Sequence, residues 1–66
     1  MGANGAVRTV LRNADKPLST NEIADRTGFT WHPVKDALTS LYEQGEIDRR
    51  KLSDRHILWS ETPINL

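Results

Sequence analysis

The chain has 66 residues and a mass of 7.5 kDa, which is enough for one small domain with a thin core. It contains no cysteine and its longest apolar run is three residues, 57–59, so disulfide and cysteine–zinc scaffolds are excluded, and we expect a cytoplasmic protein with no membrane span and no signal peptide. Nine basic and nine acidic side chains give a formal net charge of zero, so overall charge indicates neither a nucleic-acid nor a membrane partner.

The basic side chains are unevenly distributed along the chain. Residues 1–48 carry five bases and seven acids, residues 49–55 carry four bases and one acid, and residues 56–66 carry one acid. A short positive segment therefore lies in an otherwise slightly acidic chain, and anions respond to local potential more than to net charge. The same pattern is also typical of a solvated hairpin tip, where lysine and arginine prevent edge-to-edge association.

The first predicted helix is amphipathic. Apolar residues recur at helical spacing from Val7 to Ala14, and the two arginines between them fall on another face. Asn4 is the predicted N-cap. The helix ends before Pro17, because the residue preceding a proline is held out of the α region.

The second helix has a strong start signal. Ser19 and Glu22 have the spacing of a capping box, in which each side chain bonds the backbone amide of the other residue. Leu18 and Ile23 have the spacing of a hydrophobic staple across the same boundary. Gly28 follows where a left-handed C-cap is expected.

The third helix is predicted to begin shortly after Gly28. Thr30 is a plausible N-cap, and Pro33 falls in the first turn, where its missing N–H has no consequence. Apolar residues at helical spacing from Val34 to Leu41 form the inner face. Gly45 ends the helix.

A β-hairpin is predicted after Gly45. Residues 46–52 and 56–60 read as strands joined by a polar three-residue loop. An isolated hairpin is marginal in water, so it must pack on the helices. The side chains available for this are Ile47, Ile57 and either Leu58 or Trp59. Leu18 can supply a short third strand.

The connection between the second and third helices constrains how the helices cross. Two helices joined by so short a turn must cross steeply, which requires a small residue at the close approach (Ala24), a residue that tolerates positive φ (Gly28) and apolar residues that close the wedge (Val34 and Ala37). Phe29 is predicted to fill this corner.

With a helix before it and a hairpin after it, this pattern resembles the winged helix-turn-helix domain. The resemblance covers residues 4–61, so we expect residues 1–66 to form a single domain with a short tail at 62–66. The implied fold is α+β and mostly α, with three helices and a C-terminal hairpin, the wing (residues 47–60), in a sheet of two or three strands.

The resemblance implies sequence-specific binding of double-stranded DNA by a small transcriptional regulator of bacterial, archaeal or viral type. In that family the third helix, here about residues 30–44, enters the major groove, and the wing lies along the backbone or in the minor groove. Carried over by position, the DNA-binding residues are Thr30, Trp31, His32, Lys35, Asp36 and Thr39 on the helix and Arg49, Arg50, Lys51 and Arg55 on the wing.

The helix residues carry different chemistry. Thr30 lies at a helix N-terminus, where free amides favour a phosphate, and Lys35 can reach a guanine edge or a phosphate. Asp36 repels phosphate, so it either accepts a hydrogen bond from a cytosine amino group or pairs with Lys35 or Arg26.

Both aromatic residues at the start of the third helix have two interpretations. Trp31 either contacts a thymine methyl group or a sugar, or folds back as a lid on the core. His32 either contacts DNA or faces solvent with no special role. Trp59 is expected in the core or covering the third helix.

Two other binding functions remain open. Winged helices also serve as protein-interaction modules, which the acids Glu43, Glu46 and Asp48 permit, with Trp31 and Tyr42 as anchors. Domains that bind left-handed nucleic acid also carry a wing tryptophan after a leucine, as in Leu58-Trp59. Those domains use an asparagine and a tyrosine where this chain has Lys35 and Thr39.

Catalysis and metal binding are not expected. Ser53, Asp54 and His56 are close in sequence, but a hairpin tip offers no pocket for a hydrolase site. A metal site from His32, His56 and Asp36 would need distant elements to coincide. We therefore expect no enzyme activity, no cofactor, no metal and no small-molecule substrate. A homodimer is possible, through the first helix and the tail to Leu66.

Overall fold

The computed structural model describes residues 2–64. Three helices and three short strands follow in the order α1 (Ala3–Asn13), β1 (Leu18–Ser19), α2 (Thr20–Thr27), α3 (Trp31–Glu43), β2 (Asp48–Lys51) and β3 (Ile57–Ser60). The strands form one antiparallel sheet in the order β1-β3-β2. The predicted α+β class, the three helices and the third strand at Leu18 are confirmed.

The first helix begins earlier than predicted. Gly2 holds the N-cap position with extended backbone and no side-chain cap, so Asn4 lies inside α1 and the N-cap prediction is wrong. Ala3, one of the two additional helical residues, is buried in the core, so the longer helix covers apolar surface. The C-terminal end agrees with the prediction, because Ala14 is already extended and Pro17 follows.

The three helices and the sheet enclose one apolar core. Val7 of α1, Ile23 of α2, and Val34 and Leu38 of α3 are fully buried, together with Trp59 of β3. The choice between Leu58 and Trp59 therefore falls to Trp59, and Leu58 is only half-buried. A strand presents alternate side chains to one face, so this result fixes which wing residues point inward.

The wing is shorter than the sequence predicts. The ladder ends at the pair Lys51 and Ile57, and the five residues between them form a loop closed by backbone hydrogen bonds between Leu52, Ser53 and His56. No non-glycine residue among the described ones has positive φ, so the loop is wide enough to turn without a glycine.

The segment after β3 is bonded to the wing. The N–H of Thr62 donates to Oγ of Ser60 at 3.2 Å, and the N–H of Ile64 donates to Oδ2 of Asp48 at 2.7 Å. The predicted tail at 62–66 is thus held as far as Ile64, and Asn65 and Leu66 lie outside the described residues. No helix in residues 2–64 has the length and apolar character to cross a bilayer.

Candidate nucleic-acid interface

Both ends of α2 have the local geometry that the sequence predicts. Oγ of Ser19 accepts from the N–H of Glu22 at 3.2 Å, and the Glu22 carboxylate accepts from the N–H of Ser19 at 3.3 Å, which completes the capping box. Gly28 ends α2 with φ of 78° and donates its N–H to the carbonyl of Ala24 at 3.0 Å. The chain reverses here and presents the start of α3 outward.

Phe29 does not fill the corner between the helices, so that prediction is wrong. Its N–H donates to Oγ1 of Thr27 at 3.2 Å, and its side chain remains 42% exposed. Val34 and Ala37 already occupy the wedge and are buried. The ring instead lines a surface depression with the small residues of the α1 N-terminus: Gly2, Gly5 and Ala6.

Trp31 does not cover the core, so the lid interpretation is wrong. Its side chain is 43% exposed, because buried α3 side chains already close the core beneath it. Its ring meets His32 edge-on at 5.3 Å between centroids. Nζ of Lys35 lies 5.7 Å from the Trp31 centroid, within reach of a cation–π interaction. The first turns of α3 therefore present an aromatic surface with a cation on it.

The rest of the outward face of α3 is polar. Thr30 is the N-cap, and its hydroxyl makes no capping bond. Asp36 is exposed, and within residues 2–64 it forms no ion pair with Lys35 or Arg26. Thr39 is half-buried. Asp36 therefore remains a single exposed carboxylate in the middle of this face.

The four basic residues of the wing point in different directions. Arg49 is directly opposite Trp59 in the ladder, so both side chains lie on the core-facing side of the sheet. Arg50 is on the opposite face. Lys51 lies 3.7 Å from the Asp54 carboxylate, and Arg55 is exposed in the loop. The sequence predicts that these four cations form one DNA-binding group, whereas the structure directs Arg49 toward the core and leaves the other three exposed.

The guanidinium of Arg49 is packed on aromatic rings. Its central carbon lies 4.2 Å from the Tyr42 centroid and 5.8 Å from the Trp59 centroid. The two rings meet edge-on at 6.4 Å. Nε1 of Trp59 donates to Oγ1 of Thr20 at 2.9 Å, both buried. Trp59 is thus enclosed as predicted, and its ring is not presented to a left-handed nucleic acid.

The wing tip and the helices meet at a cleft of about 330 Å³. Its lining combines the start of α2, the first turns of α3 and the wing: Thr20, Asn21, Trp31, Lys35, Asp54, Arg55 and Ile57. The cleft brings together three predicted DNA-binding residues, Trp31, Lys35 and Arg55. It leaves Arg49 and Arg50 out.

Thr20 and Asn21 also line this cleft and are not among the site residues predicted from the sequence. They are the first two residues of α2, where backbone amides lack helical partners and favour an anion. The capping box at Ser19 marks that helix start, but only the strand pairing of Leu18 with Trp59 places it beside the wing.

Several polar residues considered for other functions have internal partners. The Arg8 guanidinium bonds the Glu46 carboxylate and so connects α1 to the segment before β2. Asp48 accepts the N–H groups of Ile64 and Arg49, and these two bonds lower the pKa of its carboxyl, the Ile64 bond more strongly. Of the three acids that would suit a protein partner, Glu46 and Asp48 therefore have structural roles.

Two of the three candidate catalytic residues, Ser53 and His56, lie close together. Oγ of Ser53 lies 3.5 Å from Nδ1 of His56, but Asp54 pairs with Lys51 instead of His56. In the part of the chain that the structure describes, no three histidine or acidic side chains form a group that could hold a metal ion.

Comparisons with known proteins support the architecture. No protein-family model matches the chain. A search of curated proteins also finds no match. Among solved structures, the chain is similar to Lactococcus lactis ZitR, wild type, in complex with DNA, with a TM-score of 0.68 and 24% sequence identity. The match covers 89% of this chain and 42% of the ZitR chain, so this chain corresponds to less than half of that protein. The chain therefore has the winged helix-turn-helix fold that its sequence predicts.

Proposed function

We propose that the protein binds double-stranded DNA with sequence preference and acts as a transcriptional regulator. In this proposal α3 enters the major groove and the wing follows the backbone or the minor groove. The observation that carries the proposal is the cleft where Lys35 of α3, Arg55 of the wing and the first turn of α2 converge.

The cleft has the chemistry of a site for a DNA backbone. Two cations and the free amides at the start of α2 favour a phosphate. The exposed ring of Trp31 offers an apolar surface to the adjoining deoxyribose. Asp54 is the one acid in the lining, and its contact with Lys51 reduces its repulsion of a phosphate.

The outward face of α3 carries the proposed base contacts. Asp36 would accept a hydrogen bond from a cytosine amino group. Where no such donor is present, its negative charge repels the base and phosphate acceptors, so binding to other sequences is disfavoured. Thr30, His32 and Thr39 supply further donors and acceptors around it. Arg50 and Lys51 hold the backbone from the wing.

The structural similarity supports the same proposal. ZitR has been solved in complex with DNA, and the matched segment spans nearly all of this chain. ZitR is more than twice as long, so the similarity supports DNA binding by the shared domain and does not extend to the rest of ZitR. Sedimentation of the complex measures the number of copies on the DNA and so tests for a homodimer.

An NMR titration tests the proposal. The labelled protein is titrated with a mixed-sequence duplex at two salt concentrations. We expect shifts at residues 30–39 and 49–55 and at the amide of Asn21, with affinity falling steeply as salt rises.

Two variants locate the contacts. Lys35→Ala and Arg50→Ala should each weaken binding, without unfolding, and lower the salt dependence, log K against log salt, by about 0.9 for each lost phosphate contact. Lys16→Ala, between α1 and β1, makes the same charge change elsewhere and is the control. Full affinity in both test variants would contradict the proposal.

A protein-binding module is the second candidate function. The exposed ring of Phe29, beside the small residues of α1, favours it. Of the two anchors predicted from the sequence, Trp31 is exposed, whereas the ring of Tyr42 is covered by Arg49. Absence of any duplex-induced shift at low salt would favour this second function over DNA binding.

A further inference from the structure

We propose that Arg49 positions the wing for DNA instead of contacting a phosphate. The inference rests on the proposed DNA-binding function and changes the role that the sequence assigns to one of the four wing cations. It follows from the direction of the side chain, from what the guanidinium touches and from where those contacts lie along α3.

The direction is set by the ladder. Arg49 is paired with Trp59, whose side chain is fully buried, and residues directly opposite in an antiparallel pair share a face. The Arg49 side chain is therefore directed toward the helices. Arg50, the next residue, is directed away from them.

The contacts connect β2 to three other elements of the fold. The Arg49 guanidinium lies over Tyr42 of α3 at 4.2 Å and near Trp59 of β3 at 5.8 Å. Trp59 in turn donates to Thr20 at the start of α2. A planar guanidinium stacks on a ring in a way that neither lysine nor an aliphatic side chain reproduces. Arg49 thus fixes the angle between the wing and α3.

The location separates Arg49 from the cleft. Tyr42 lies eleven residues after Trp31 on the same helix, which is about 16 Å along its axis. The cations that converge on the cleft, Lys35 and Arg55, are at the other end of this span. A small change in the wing angle at Arg49 would therefore displace Arg55 at the tip.

A double-mutant cycle tests this role. Wild type, Arg49→Met, Arg55→Ala and the double variant are titrated against a labelled duplex that wild type selects from a random-sequence library. We expect Arg49→Met to weaken binding about fivefold in the wild-type background and less than twofold without Arg55. Arg26→Met, on α2, removes the same charge elsewhere and is the control. Additive losses would show a direct phosphate contact and overturn the proposal.

Variants of the ring give an independent readout. Tyr42→Leu removes the platform under the guanidinium without changing the charge, and it should reproduce the loss seen for Arg49→Met. Tyr42→Phe keeps the ring and should restore affinity. Unchanged affinity of folded Tyr42→Leu would overturn the proposal.

A separate measurement distinguishes failure of this inference from failure of the proposed function. If wild type selects no duplex, DNA binding is wrong, and hydrogen exchange still tests the positioning. Arg49→Met and Tyr42→Leu should then speed exchange of the wing amides and shift the indole N–H of Trp59. Unchanged exchange in both variants would overturn the positioning role, whatever the result with DNA.

Discussion

The base of the wing (residues 47–49 and 59–60) is buried or half-buried, whereas its tip (residues 51–56) is exposed. At the base, Trp59 is fully buried and the Arg49 guanidinium lies over the Tyr42 ring. At the tip, Leu52 is 57% exposed, and the ion pair of Lys51 with Asp54 is open to solvent. Arg50 of β2 and Ile57 and Leu58 of β3 lie between the two environments.

This difference assigns different properties to the two ends. Burial and hydrogen bonds at the base contribute to the free energy of unfolding. Exposed charges at the tip contribute little to it but determine the local potential. Substitutions at the base should therefore mainly change the free energy of unfolding. Substitutions at the tip should change affinity for DNA without changing stability.

The largest expected effect is at Trp59. Trp59→Ala removes a fully buried ring and should lower the free energy of unfolding by about 3–5 kcal/mol, a large part of the stability of so small a domain. Urea unfolding followed by circular dichroism measures this. Trp31→Ala, at the exposed tryptophan, is the control and should change stability by less than about 0.5 kcal/mol. Equal effects of the two variants would contradict the assignment of Trp59 to the core.

The hydrogen bond between Trp59 and Thr20 is the next contribution at the base. Thr20→Val leaves the buried indole N–H without its acceptor and should lower the free energy of unfolding by about 1–3 kcal/mol. Thr20→Ser retains the hydroxyl and should lose less. The NMR shift of the Trp59 indole N–H reports the bond directly, and an unchanged shift in Thr20→Val would contradict it.

The helices were predictable because their signals are local. A capping box needs only Ser19 and Glu22, and a left-handed C-cap needs only Gly28, so sequence spacing is sufficient. The start of α1 was placed too late because nothing in the sequence shows that Ala3 packs into the core.

The site was harder to predict because its geometry is not local. A shift of one residue in strand pairing moves every side chain to the other face, and no glycine in the loop fixes the pairing of the wing. Sequence spacing alone therefore could not predict that the Arg49 side chain points toward the helices. Phe29 was misplaced and Trp31 was left open because spacing assigns Val34 and Ala37 to the wedge but does not show that they fill it without a further side chain.

The base also contains a group that responds to pH. The N–H groups of Ile64 and Arg49 lower the pKa of Asp48 below its ordinary value, so the ionised form stabilises the fold. This contribution is complete above about pH 4, the ordinary aspartate range, and is lost as the pH falls through the lower folded-state pKa. We expect the amide of Ile64, which donates to the Asp48 carboxylate, to shift as the pH falls through that range.

Asp48→Asn is the matched test of this pH dependence. It removes the titration while keeping a side-chain oxygen that can accept one bond. The acid-range shift of the Ile64 amide should then disappear. Persistence of the shift in Asp48→Asn would show that another group causes it.

The smallest effect on stability is expected at Asp54. Its side chain is fully exposed and its pair with Lys51 is open to solvent, so Asp54→Asn should change the free energy of unfolding by less than about 0.5 kcal/mol. The same change frees Lys51 and removes the acid from the cleft. Affinity for a duplex should therefore rise about two- to threefold at low salt, and the gain should shrink as salt rises.

Asp15→Asn, between α1 and β1, makes the same charge change away from the wing and separates local from global charge. If both variants gain equally, only net charge matters and the tip has no special position. If Asp54→Asn loses affinity, the pair with Lys51 orients that lysine for its contact. A gain confined to Asp54→Asn is the outcome that an enclosed base and a charged tip require, because the base already fixes the tip's position and only its charge has changed.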